Sequence, residues 1–384
     1  MVGRRTFLRS AALGAASLLV AGDGLIAYRA YDQGVFSQGR GPAFRAVRDW
    51  RTYQGPVSAV AAAVLAASAH NTQPWVFAVS PARIDVFADR QRTTGASDAL
   101  DRELHISLGC ALENLVLAAN ANGYATDVAL DPGGEVDLVA TIALMRATPL
   151  TTELYEAIGT RRSNRSRYTS DPLPSGTLER MASLVDASVS PARLMFLDQE
   201  SGRQRFGDLV VEATRAHVAD QAQSLASYAW WRSSWDDVQK HKDGLNIAGV
   251  GLPPVVRTLG RLLPATGRSS DDATFIDLTI TQTRSAATFG VITVDDPADL
   301  AQQLAGGRLA QRLHLWAAAH GLGFQYMNQV TERVDRDRQQ GVDGVFDARL
   351  ADLVGSSALT AFRIGHPTVP SQPSPRRPAQ EVLR

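Results

Sequence analysis

Ala66-Ala67-Ser68-Ala69-His70-Asn71-Thr72-Gln73-Pro74-Trp75 joins an alanine-rich apolar run to a strand-like one, and the fold turns on how this stretch is read. Taken alone it is a helix end leading into a strand, with Asn71 capping locally. Downstream, Trp75-Val76-Phe77-Ala78-Val79 and Ile84-Asp85-Val86-Phe87 have strand character, joined by the turn residues Ser80-Pro81-Ala82-Arg83. A second polar cluster, Arg161-Arg162-Ser163-Asn164-Arg165, stands before Pro172. Alone it is a solvated basic turn. Its chemistry also suits a dianionic phosphate, which guanidinium groups hold with paired hydrogen bonds and hydroxyls support.

Around these clusters the chain alternates helices and strands. Leu104, Leu108, Leu112, Leu115 and Ala119 repeat at helical spacing, with Asp101 before them as a cap or first-turn acid and Gly123 as a stop. Leu309, Leu313, Trp316 and Ala317 make a second such helix, stopped by Gly321. Further strand candidates are Leu138–Met145, Leu194–Leu197, Phe289–Val294 and Ala361–Ile364. This pattern gives a mixed α/β or α+β core. A faint repeat relates Val64-Leu65-Ala66-Ala67-Ser68 to Leu184-Val185-Asp186-Ala187-Ser188, each ahead of an apolar strand. The second copy has lost the Asn and Gln of the first. The first half has only Arg51-Thr52-Tyr53 where the second has the full arginine cluster.

Together the two clusters resemble the paired flavin-binding segments of the nitroreductase family, in reversed order. The resemblance is closest to the Acg-type branch, in which one chain imitates the homodimer. It implies an α+β nitroreductase-like fold with a mixed or antiparallel sheet flanked by helices, and two degenerate halves forming an intrachain pseudo-dimer. Residues 39–150 would be the first half and 151–384 the second, with an insertion at 226–267. That insertion holds Trp230, Trp231 and Trp235, and is either a lid over the flavin face or a helical pair packing its tryptophans. The resemblance implies one FMN. Arg161, Ser163 and Arg165 fall where the family holds phosphate, ribityl chain and ring edge. Ser68, Asn71 and Gln73 fall in the segment that the family takes from the opposite subunit, although Ala67 replaces its proline. Met327, Asn328 and Gln329 correspond to the segment whose backbone amide approaches flavin N5. Arg376 or Arg377 corresponds to a basic tail residue that returns to the phosphate. His70 could face the flavin, and Arg203 and Arg205 could supply charge near its O2 edge.

The implied activity is FMN-dependent oxidoreduction, passing hydride or electrons through N5 to nitroaromatic or quinone substrates. NAD(P)H or a quinol would be the donor; the alternative is storage of a covered flavin. No dedicated catalytic acid or base is visible, and no metal site is expected from the His and Cys spacing. There is no Gly-x-Gly-x-x-Gly after a strand and no Gly-x-Ser-x-Gly elbow. Lys plus Arg and Asp plus Glu both number 39, which gives no basic excess for nucleic acid. Gly3-Arg4-Arg5-Thr6-Phe7-Leu8-Arg9 and the small-residue apolar run Ala11–Ala21 resemble a twin-arginine export signal, either cleaved or retained as a membrane tether. The expectation is an extracytoplasmic protein that uses the twin-arginine machinery and remains a monomer.

Overall fold

The computed structural model describes residues 23–185, 191–263, 267–342, 344–355 and 357–384. The export-signal residues and the Asp186–Ser190 part of the sequence repeat lie outside them. β1 (Trp75–Val79), β2 (Arg83–Ala88), β3 (Tyr124–Leu130) and β4 (Leu138–Arg146) form one sheet in the order β1-β2-β4-β3. β5 (Arg193–Leu197), β6 (Thr288–Val294), β7 (Gly323–Tyr326) and β8 (Ser357–Gly365) form another in the order β5-β6-β8-β7. All strand pairs are antiparallel. The topology is the same in both, down to a register shift in the second strand, at Val86/Phe87 and at Ile292/Thr293. The α+β expectation therefore takes the form of two sheets, one per half, rather than one central sheet. The C-terminal tail then crosses to the first half. Phe77 N–H donates to Val382 C=O at 2.8 Å, and Leu383 pairs with Phe77 in parallel.

Each half places a 20-residue helix after its second strand, Arg102–Ala121 and Leu300–Ala319. The second is capped by Asp299, whose carboxylate accepts from Gln302 N–H at 2.8 Å. The first is capped differently from the sequence expectation. Asp101 stands at the helix start with φ 58°, but its carboxylate goes to Arg90 at 2.6 Å. Asp98 takes its place, accepting from the N–H groups of Glu103 and Leu104 at 2.8 Å each. Gly123 and Gly321 follow the two helices with φ of 82° and 70°.

The two helices pack on each other at Gly109 and Gly307, the eighth residue of each. A Cβ on Gly109 would lie 2.2 Å from Leu304 O, and one on Gly307 would lie 2.3 Å from Ile106 O. The reciprocal contacts mark a local two-fold relation between the halves. Glu113 receives Arg308 and Arg312 at 3.0 Å each, and Asn114 Oδ1 accepts from Gln311 at 2.8 Å. The main core draws Leu108, Leu112, Trp75 and Phe77 from one half and Leu313, Phe324, Phe362 and Ile364 from the other.

The halves differ in what they insert. Between β5 and β6 come the helices Glu200–Ala219, Gln221–Tyr228, Trp235–His241, Pro254–Leu262 and Arg268–Arg284. The expected 226–267 insertion lies inside this longer excursion. Helices Gln329–Gln340 and Val345–Val354 separate β7 from β8. A second core forms beneath these additions, with Phe206, Leu209, Phe289, Met327 and Val330.

Candidate functional site

The Ser68–Gln73 loop is held in an unusual backbone conformation. His70, Asn71 and Gln73 have φ of 46°, 58° and 55°, a region that non-glycine residues occupy only when their surroundings impose it. The surroundings come from three directions. From the second core helix, Gln311 Oε1 accepts from Ala67 N–H at 3.2 Å. From the insertion, Lys242 C=O accepts from the Gln73 amide at 2.8 Å and Gly244 C=O from the Asn71 amide at 3.3 Å. From the tail, Pro375 C=O accepts from Asn71 at 3.0 Å, and Gln73 Oε1 accepts from Arg377 N–H at 2.8 Å. Arg376 donates to Asn71 Oδ1. Within the loop, Ser68 Oγ accepts from Gln73 N–H at 3.2 Å.

The arginine cluster arrives at the same place. Arg161 is buried and donates to Leu65 C=O at 3.0 Å, while Arg376 donates to the next carbonyl, Ala66, at 3.1 Å. Among the described residues, no carboxylate forms an ion pair with Arg161, Arg162, Arg165 or Arg376, and Arg161 Nε has no partner. Burial pushes all four guanidiniums below their ordinary range, and repulsion from Arg161 adds to this for Arg162, Arg165 and Arg376. Arg162 falls to about 10 through burial and Arg161, and Arg376 is depressed by burial, Arg161 and Arg162. His314 stays neutral here because burial and Arg161 oppose its protonation. Its Nδ1 faces Arg161 at 3.3 Å, its Nε2 donates to Arg162 C=O at 3.1 Å, and its ring stacks on Phe324.

Ser68, His70, Ser163 and Arg165 remain only half-buried. Yet burial lowers the His70 pKa to about 3, followed by the charges of His217 and Arg165. The insertion lies over Arg165: Gly249 C=O accepts from Arg165 at 3.2 Å, and a Cβ on Gly251 would lie 2.2 Å from Arg165 C. The tryptophans serve to fasten the insertion. Trp230 donates to Thr93 C=O at 3.1 Å, Trp235 stacks on Phe44, and Asp243 pairs with both Arg92 and Arg232. A separate surface cavity bordered by Gln33, Phe44, Trp235 and Arg261 lies outside the arginine cluster.

Met327, Asn328 and Gln329 approach from β7. The Met327 side chain is fully buried in the second core and its N–H donates to Ala361 C=O at 2.8 Å, so it is not a free donor. Asn328 donates to the Glu103 carboxyl at 2.8 and 2.9 Å and accepts from the Thr360 hydroxyl and the Ala361 N–H. Gln329 opens the helix Gln329–Gln340, whose first-turn N–H groups have no intrahelical partners, and its Oε1 is buried without one. Behind them is an acidic group. Burial raises Glu103 to about 8 and Asp98 to about 7, and it raises Glu332 well above the usual carboxylate range. Arg102 offsets part of this charge through Asp335, at 2.6 Å. Arg203 and Arg205, expected near a ring edge, instead pair with Glu200 and Asp352 on the outer face of the excursion. The reason is local partners: Arg203 also donates to the Asp198 and Ala287 carbonyls at 3.0 and 3.1 Å, and Arg205 reaches Asp352. No group of three or more His, Cys, Asp or Glu is placed to hold a metal among the described residues.

The structure thus brings Ser68, Asn71, Gln73, Arg161, Ser163, Arg165, Arg376 and Arg377 to one locality made from both halves, the insertion and the tail. Sequence reading missed His314 and Gln311. Their signal was polarity inside an apolar helical run, Leu309–Ala317.

No protein-family model matches the chain. Among curated proteins it is similar to "Putative NAD(P)H nitroreductase Rv3131" of Mycobacterium tuberculosis, at 27% identity over 332 residues, 83% of this chain and 87% of that one. The counterpart from a second strain of that organism aligns identically. Among solved structures, a nitroreductase with bound FMN from Desulfitobacterium hafniense aligns at 12% identity over 61% of this chain and 98% of its own, with a TM-score of 0.36. The FMN-dependent nitroreductase NfnB of Mycobacterium smegmatis, in complex with NADPH, aligns at 14% identity over 60% and 97%, with a TM-score of 0.35.

Proposed function

We propose that this chain is an FMN-dependent oxidoreductase of nitroreductase type with a single composite flavin site. One observation carries the reading: four arginines, Arg161, Arg162, Arg165 and Arg376, converge with no carboxylate to pair them among the described residues. Uncompensated buried charge is costly unless a counter-charge arrives, and a dianionic phosphate is the counter-charge this donor set fits. The similarity to curated NAD(P)H nitroreductases agrees with it. Arg161, Arg165, Arg376 and Ser163 would hold the phosphate and ribityl chain. Ser68 and Asn71 would flank the ring, with the N–H groups that start the helix Gln329–Gln340 on its N5 side and Gln73 and Arg377 fixing the loop and tail. When bound, FMN supplies the hydride acceptor and donor. The Lys242–Gly251 segment excludes water, and the guanidiniums favour negative charge developing nearby.

NAD(P)H or a quinol is the proposed donor, and nitroaromatics or quinones the acceptors. The purified chain, loaded with FMN, should bleach on adding one of these donors and regain its absorbance on adding a nitroaromatic or quinone. A flavin that dithionite reduces but no pyridine nucleotide or quinol reduces would sink turnover. That outcome would favour flavin storage, which the hydrogen bonds that both clusters donate to the carbonyls of Lys242, Gly244 and Gly249 support. The proposed location is outside the cytoplasm, reached as a folded monomer by the twin-arginine route. Exchanging Arg4 and Arg5 for Lys should leave the protein in the cytoplasm; unchanged export would refute the route.

A further inference from the structure

Helix Asp23–Asp32 packs against helix Pro254–Leu262 of the excursion. Their relative placement is pinned. Arg261 donates to Gly34 C=O at 3.0 Å, and Gly34, at φ 62°, lies so close to the Trp235 ring that a Cβ would fall 2.3 Å from it. Trp235 in turn stacks on Phe44. This fixed unit turns large apolar side chains outward: Tyr28 is 67% exposed, Tyr31 77%, Phe36 72% and Val255 70%. Leu259 is also exposed. Val255 and Leu259 are spaced i, i+4, and Tyr28 and Tyr31 i, i+3, so each pair occupies one helix face.

Such a concentration of aromatic and aliphatic surface on a monomer marks an interaction site. Tyrosine, phenylalanine and leucine on an amphipathic helix are the residues that settle at a water–lipid boundary. The sequence names the occupant: the apolar run Ala11–Ala21 lies immediately upstream. From Ala21 to Tyr28 the chain can span no more than ~25 Å even when fully extended. We propose that this face rests on a lipid bilayer, with Tyr28, Tyr31, Phe36, Val255 and Leu259 among the headgroups and upper acyl carbons. The helix Pro254–Leu262 continues directly from Gly251, which overlies Arg165. Docking therefore sets the segment that covers the candidate site at the membrane boundary, where a lipid-soluble donor would be concentrated. The proposal stands whether or not the site holds a flavin.

The full-length chain suits a depth measurement, because its sole cysteine, Cys110, is buried. Leu259→Cys and, in a separate protein, Val136→Cys would be labelled with an environment-sensitive fluorophore and mixed with phosphatidylcholine–phosphatidylglycerol vesicles, with and without headgroup nitroxide lipids. Val136 is a control at an exposed turn of the first half. The expected result is a blue shift and nitroxide quenching at position 259, with neither at position 136. Vesicle binding that leaves the 259 label in water would overturn the proposal, as would failure to bind vesicles. A blue shift at 259 without vesicles would also overturn it, since the occupant would then be the chain itself or a second copy.

Discussion

Replacing Gly109 with alanine sets two effects of opposite sign against each other. Intrinsic helix propensity favours alanine over glycine by about 0.8–1 kcal/mol. Against this, the new methyl would meet Leu304 O at 2.2 Å and Gly307 Cα at 2.9 Å. Both are backbone atoms, which cannot rotate away. Ordinary contact requires roughly 3.4 Å or more, so the two core helices must part by about 1 Å. Overpacking of this kind costs about 1–3 kcal/mol and sometimes more. The net expectation is destabilisation by up to about 2 kcal/mol, read as a lower urea midpoint at unchanged slope. Gly202→Ala is the control, because its methyl would meet only Leu197 side-chain atoms at 3.8 Å and should leave stability equal or higher. Gly307→Ala should behave like Gly109→Ala, and the double variant should cost less than the sum, since one separation admits both methyls. A raised midpoint for Gly109→Ala would mean that the helices are not in backbone contact, and the two-fold packing of the halves would have to be abandoned.

Stability should also fall as pH rises from about 6.5 to about 8, above the range in which the buried His70, His105, His217 and His314, whose pKa values are lowered, contribute the opposite sign. The folded pKa values of Asp98 and Glu103 are raised to about 7 and about 8, so over that window the native state binds more protons than the unfolded state and each pH increment disfavours folding. Urea midpoints at the two ends of the window test this, and a flat or rising profile would contradict the burial of these carboxyls. Asp243→Ala removes the shared partner of Arg92 and Arg232; it should loosen the insertion, seen as faster proteolysis near residues 242–251 and faster flavin release. Unchanged proteolysis would mean that Trp230 and Trp235 alone hold it.

Much of this arrangement was legible in the sequence because period and punctuation are local signals. The leucine spacing from Leu104 to Leu115 and the stops at Gly123 and Gly321 located both core helices. The strand-like runs from Trp75 to Phe87 located β1 and β2. What was not legible is long-range. Nothing near Asp101 says that its carboxylate will go to Arg90 while Asp98 caps the helix. The excursion is longer than residues 226–267 because the helices Glu200–Ala219 and Arg268–Arg284 also lie between β5 and β6. The placement of Arg203 and Arg205 depends on partners far away in sequence, the Ala287 carbonyl and Asp352. Asn71 and Arg161 could be linked from sequence only through the family resemblance, because their convergence is carried by carbonyls at Leu65, Ala66 and Pro375.

The most direct test of the composite site is flavin titration of the full-length chain, followed by FMN fluorescence, for the wild type and for Arg161→Ala, Asn71→Ala and Arg376→Ala, with circular dichroism confirming that each variant folds. Loss of one charge-assisted hydrogen bond is worth about 1.5–3 kcal/mol, so each arginine variant should bind FMN roughly ten- to a hundredfold more weakly, and Asn71→Ala should weaken it through release of Arg376. Folded variants that bind FMN as tightly as the wild type would contradict a flavin cradle shared between the two halves.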